Sequence, residues 1–234
     1  MHPTVSGHHY ERHPEGISFV RDVVLGLSDG LTVPFALAAG ISGALALNHI
    51  VVTAGVAEIA AGGISMGLGG YLAARTSSDY YASEERRERE EVKSVPELER
   101  AEIAEIFEKY GLSGESLEHA VQAVTSDHDR WIDFMMRFEL GLEKPTPGRD
   151  LRSALTIGGA YVIGGLVPLA PYMALRASEH ALELSALVTL VALALFGLFK
   201  GRFTGVRPWK AAMQTVFVGG IAAAVAFGLA RLVW

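Results

Sequence analysis

Asp29, Glu58 and Met66 are the side chains whose type and setting most invite chemistry in this chain. Asp29 is the sole charge in residues 23–47, and Glu58 is the sole Asp, Glu, Lys or Arg in residues 49–74. A carboxylate placed in a bilayer costs about 2.5–3.5 kcal/mol on insertion scales, so an acid kept there marks an ion or proton path. Met66 adds a thioether eight residues after Glu58. At 100° per residue the two lie about 80° apart on one broad side of a helix, with Met66 ~12 Å further along. A hard oxygen and a soft sulfur together suit a borderline transition ion such as Fe2+ better than Mg2+ or Ca2+, which want all-oxygen shells. Met66 also has a plainer reading, as filler for a core gap. A carboxylate in low dielectric can exchange protons near neutral pH, which makes Glu58 the candidate for coupling proton movement to metal movement.

More acids stand in a charged block further on. Glu88 and Glu91 are three residues apart, as are Glu99 and Glu102, with Glu105 next in that series. This spacing puts side chains on one helix face, where like charges repel unless a cation joins them. Glu139, beside Met135 and Met136, is a possible contributor from another helix. The competing reading is a solvated face with salt bridges to Arg87, Arg89 and Arg100. Asp127, His128 and Asp129 form another possible ligand set, although a turn with a helix cap explains them as well.

The elements that must hold these residues follow from length and composition. Of 234 residues, 50% are hydrophobic, and they gather in long runs. A membrane span needs about 20 apolar residues. Five stretches qualify: 20–46, 49–74, 153–175, 181–199 and 211–230. Backbone groups in lipid must be satisfied within the segment, so each is expected to be a helix. Between the second and third spans, residues 75–152 hold 19 of the 26 acids and 12 of the 20 Lys and Arg, which reads as a water-exposed helical block. The expected divisions are a tail at 1–16, spans one and two at 17–76, a helical metal-binding domain at 77–150, and spans three to five at 151–234. The fold class is all-α.

Residues 77–92 lack Gly and Pro, so the second span is expected to run on as one long helix. Further helices are expected at 96–110, with Ser94 as a cap and Gly111 as the stop, at 115–125, and at 129–140. The Pro-bearing segment 143–148 leads back to the membrane. Lys and Arg crowd alternate connections, which predicts a cytoplasmic N-terminus, a cytoplasmic middle block and a C-terminus on the far side. Gly62, Gly63, Gly67, Gly69 and Gly70 flank Met66, so this stretch is expected to meet another helix or its own symmetry mate. Pro34, Pro168 and Pro171 are candidate kinks, and the string Gly30 to Pro34 echoes Gly165 to Pro168. The absence of Cys excludes disulfides, thiolate zinc sites and iron–sulfur clusters.

Three strings together resemble the vacuolar iron transporter family: SDGLTVPFALAAG around Asp29, AGGISMGLGGYLAA around Met66, and FELGLEKP from Phe138 to Pro145. The likeness runs from about Arg21 to Trp234. It implies five transmembrane helices, a homodimer with a path between protomers, and a cytoplasmic metal-binding domain between the second and third spans. It also implies exchange of Fe2+ or Mn2+ for protons. By motif, Asp29 and Met66 match the family's intramembrane metal site and Glu58 its second intramembrane acid. Glu88, Glu91, Glu99, Glu102 and Glu139 match the acids of its cytoplasmic site, with Met135 and Met136 alongside.

The resulting expectation is a secondary, proton-coupled transporter that moves Fe2+, Mn2+ and possible companions Co2+ or Zn2+ out of the cytoplasm. No prosthetic group and no nucleic-acid partner are expected, and a prokaryotic plasma membrane is favoured over a vacuolar one. One alternative is a membrane-bound ferroxidase. That needs Glu three residues before an inward His, but Ser116, Thr125 and Ala177 precede His119, His128 and His180. The other is a metal sensor, which has little use for acids inside the bilayer.

Overall fold

The computed structural model describes residues 14–44, 48–175 and 178–233. They form eight helices: α1 (Pro14–Ala44), α2 (Asn48–Ser94), α3 (Pro96–Lys109), α4 (Gly114–Thr125), α5 (His128–Phe138), α6 (Arg149–Ala174), α7 (Ser178–Thr204) and α8 (Pro208–Val233). No strand occurs among the described residues. Five helices are long and apolar enough to cross a membrane: α1, α2, α6, α7 and α8. The N-terminal His2, His8, His9 and His13 lie outside the described residues.

Contacts divide the chain into two units, one running to Tyr71 and resuming at Leu151, the other Leu72–Asp150. In the first, α1 packs on α7 and α8, and α7 on α8. Glycines let the backbones close in. A Cβ added at Gly30 would collide with the backbone oxygen of Tyr161 on α6, and one at Gly164 would lie 3.0 Å from the Gly30 carbonyl carbon. The two echoing strings thus touch: Gly165 lies beside Pro34. Both helices continue through Pro34, Pro168 and Pro171. The Pro168 carbonyl accepts a hydrogen bond from Ser185 Oγ at 2.7 Å.

The Gly30 contact is backbone to backbone, so no rotamer change relieves it. Gly30→Ala should cost ~1–3 kcal/mol through overpacking. Gly228 on α8, with nothing within 4 Å of an added Cβ, should accept Ala with no loss. Thermal melts of the purified protein compare the two.

In the second unit, α2 runs unbroken through its charged half. Arg75 pairs with Asp79 and Arg89 with Glu85, both at i,i+4, which supports helix without adding much stability. Ser94 does not cap α3. It ends α2, and the N-cap is Val95, followed by Pro96. Gly111 stops α3 in the left-handed region at φ +90. Asp127 caps α5 by accepting from the Arg130 N–H, so the turn-and-cap reading of 127–129 holds. Tyr81, Val92, Ile103, Trp131, Ile132, Met135 and Met136 make the core.

Candidate functional site

Tyr161, on α6, meets both helices that carry the membrane acids, α1 and α2. It projects from α6 at the level where Gly30 leaves room on α1 and Gly62 leaves room on α2. A Cβ at Gly62 would overlap the Tyr161 hydroxyl end. Through that gap the hydroxyl donates a short hydrogen bond to Glu58 Oε1. Glu58 is therefore not a lone carboxylate. Its other oxygen, Oε2, is buried without a partner. Asp29 stands close enough for its charge to act on the same phenol, and has no hydrogen bond or ion pair among the described residues. Tyr161 escapes a reading of the sequence because its partner lies 103 residues away. The available signal was a Tyr set between the glycine pairs Gly158–Gly159 and Gly164–Gly165 of an apolar span.

Asp29, Glu58 and Met66 are each half-buried within this one chain. The glycines around Met66 find their partner in α6: Gly63 meets Val162, Gly67 meets Ala154 and Gly158, and Gly70 meets Ile157. Asp22 was not singled out above. It is 6% exposed, seven residues before Asp29 and so on the same helix face, with Arg21 at 3.8 Å.

In the second unit the expected acids do gather, from three elements. Glu88 is 1% exposed and Glu99 is 3% exposed, and each has an Oε2 with no hydrogen-bond partner. Burial, followed by the charges of Glu102, Glu88, Glu91 and Glu139, pushes the Glu99 carboxyl up to about 7. Glu139, at the exposed end of α5, is raised to about 7, first by loss of solvation and then by Glu88 and Glu102. Burial also raises Glu88, with Glu91 adding and Arg87 opposing. Arg87 is the resident counter-ion, at 2.7 Å from Glu84 and 3.5 Å from both Glu88 and Glu91. Among the described residues no three His, Asp or Glu side chains are close enough together to hold a metal ion as they stand. The acids form an electrostatic cluster in which burial and the neighbouring carboxylates push Glu88, Glu99 and Glu139 up.

Three expectations about this unit change. Glu105 is exposed and does not act on Glu99 or Glu139. Each three-residue step drifts about 60° around a helix, so the third member of the series leaves the face. Met135 and Met136 are 0% and 1% exposed and pack in the apolar core, as flexible gap-fillers do. Arg100 lies over the Trp131 ring at 5.5 Å instead of bridging a glutamate.

The raised carboxyls carry a pH consequence. Between about 4.5 and about 7 the folded chain holds protons on Glu99 and Glu139 that the unfolded chain has released. Stability is then full below that window and is lost as pH rises through it. In chelator, amide protection factors in α3 and α5, after correction for the intrinsic pH dependence of exchange, should be larger at pH 5.5 than at pH 7.5.

Comparison with known proteins extends over almost the whole chain. Residues 20–231 match the VIT family. Vacuolar iron transporter 1 of Oryza sativa subsp. japonica is 56% identical over 226 residues, covering 97% of this chain and 90% of that protein. Vacuolar iron transporter 1 of Arabidopsis thaliana is 54% identical over 230 residues, covering 98% and 92%. Protein CCC1 of Saccharomyces cerevisiae is 39% identical over 222 residues, covering 91% and 68%. These relatives are plant and fungal, and two are named for the vacuole, which conflicts with the expected prokaryotic plasma membrane. A match that begins in the first apolar span, passes through the charged helices and ends in the last span makes this chain a member of the VIT, or vacuolar iron transporter, family.

Proposed function

We propose that this protein carries Fe2+, and Mn2+ with it, out of the cytoplasm across a vacuole-type membrane in exchange for protons. The observation that carries the reading is the grouping of Asp29, Tyr161 and Glu58 inside apolar spans. Acids kept at such cost serve an ion path. The names of the relatives supply the ion. Asp29 and Met66 are the intramembrane ligands, and Glu58, held by Tyr161, takes and gives the proton. No covalent chemistry is involved.

Residues 72–150 serve as a cytoplasmic collector. Glu88, Glu91, Glu99, Glu102 and Glu139 concentrate the cation by their field, and an arriving ion draws them together. Lys and Arg crowd the same alternate connections, which supports the topology stated above. A second copy completes the path. Asp29, Glu58 and Met66 are only half-covered in one protomer, while the outward side of α2 offers Ile64, 73% exposed, and the open Gly69. Lipid against those carboxylates is costly, and a symmetry mate at a small-residue face removes that cost.

Proteoliposomes with an inward Fe2+ supply and a pH gradient test the proposal. The wild type should fill, and faster with the gradient. Uptake by Glu58→Gln should become indifferent to the gradient. Tyr161→Phe, which removes one hydrogen bond to a charged group worth about 1.5 kcal/mol, should cut gradient-driven uptake roughly tenfold. Wild-type vesicles that bind iron at their surface without filling would instead indicate a sensor or store.

A further inference from the structure

The corner between α7 and α8 is a basic, acid-free projection that neither the ion path nor the acidic cluster uses. Three residues, 205–207, separate the two helices. Lys200, Arg202, Arg207 and Lys210 fall within eleven residues here, and residues 184–234 contain no Asp or Glu at all. No carboxylate pairs with any of the four among the described residues. All of 202–210 is exposed.

The turn is tight, which concentrates this charge. Gly205 closes α7 at φ +70, and a Cβ at Gly201 would lie 2.7 Å from the Pro208 Cα. The last turn of α7 and the first of α8 are therefore in backbone contact, and the cations on both helices are held near one another. Aromatic rings surround them. Phe199 and Phe203 are in tilted contact with centroids 4.5 Å apart, and Lys210 lies 5.9 Å over the Trp209 ring. Phe199, Phe203 and Trp209 are 48%, 58% and 52% exposed. Both flanking helices are long and apolar enough to span a membrane, so their shared corner stands at the water–lipid boundary. Exposed rings and unpaired cations are the chemistry that seats a chain among lipid headgroups.

The geometry points to a binding site for an anionic phospholipid headgroup at the α7–α8 corner, with Lys200, Arg202, Arg207 and Lys210 holding the phosphate and Phe203 and Trp209 set among the glycerol and upper acyl groups. Clusters of this size beside a span recognise anionic lipids. The positive charge also sets topology, but topology requires only the charge and not the ring platform.

The test uses the full chain in mild detergent, where there is no membrane sidedness and no iron is moved, so it is independent of the transport reading. Native mass spectrometry compares a phosphatidylinositol phosphate with a phosphatidylcholine of the same acyl chains. The wild type should retain the anionic lipid at least about tenfold better. Replacing all four cations with Gln should erase the preference, while Arg231→Gln should keep it. If the fourfold variant fails to fold, the pairs Lys200→Gln with Arg202→Gln and Arg207→Gln with Lys210→Gln should each weaken it. Inorganic phosphate at equal concentration should not compete. Equal retention of the two lipids by wild type overturns the site, as does a folded variant that keeps the preference.

Discussion

Asp29→Asn should slow Fe2+ uptake into proteoliposomes by about a hundredfold, with little change in folding. The substitution keeps shape and removes one charge. Asp29 has no partner among the described residues, so no salt bridge is lost and no cation is stranded within the chain. What disappears is the attraction to the passing ion in a low-dielectric setting, where removing one member of a charge pair costs ~3 kcal/mol, and each 1.4 kcal/mol is about a factor of ten. Asp22→Asn makes the contrast. Asp22 is 6% exposed with Arg21 at 3.8 Å, so its loss should lower the melting temperature more than the rate. Met66→Leu, similar in volume without the sulfur, should slow iron less than Asp29→Asn does. Vesicles bearing Asp29→Asn that fill at the native rate would end the ion-path reading.

Replacing Glu88 and Glu99 together with Gln should stabilise the metal-free protein and abolish its stabilisation by metal. Both side chains are nearly inaccessible, both are raised by burial, and each has an oxygen with no hydrogen-bond partner. Near pH 7 their charges oppose folding, so neutral amides of the same shape should gain ~1–3 kcal/mol. Arg87 keeps Glu84 and Glu91 as partners after the change. The wild type should behave in the opposite way when Mn2+ is added, because a cation binding the folded state raises its melting temperature. The pair of outcomes matters. A variant that is less stable without metal, or that still gains from Mn2+, would show that these acids are structural. Such a trade of stability for function is the usual signature of a binding site.

Several elements were legible because their causes are local. The 47-residue α2 follows from an apolar span, charged only at Glu58, running into a segment without Gly or Pro. Gly111 and Asp127 announced a helix end and a helix start, and the structure uses both in that way. The convergence of Glu88, Glu91, Glu99 and Glu102 was visible in their spacing. Glu105 belonged to the same series, but helix rotation carries it off the face. Ser94 had the chemistry of a cap, yet α2 extends over it and Pro96 starts the next helix.

The sequence alone determined the five apolar helices, the charged block between them, and which acids sit where acids are costly. Helix period, span length and desolvation act within a few turns of chain, so they can be read in order. Only the tertiary structure decided what those acids face. Tyr161 reaches Glu58 across 103 residues because glycines on α1 and α2 both yield space to α6. Met135 and Met136 became core because α2, α3 and α5 close over them. Such pairings depend on helices packing at close range, and no local pattern records which helix will be opposite.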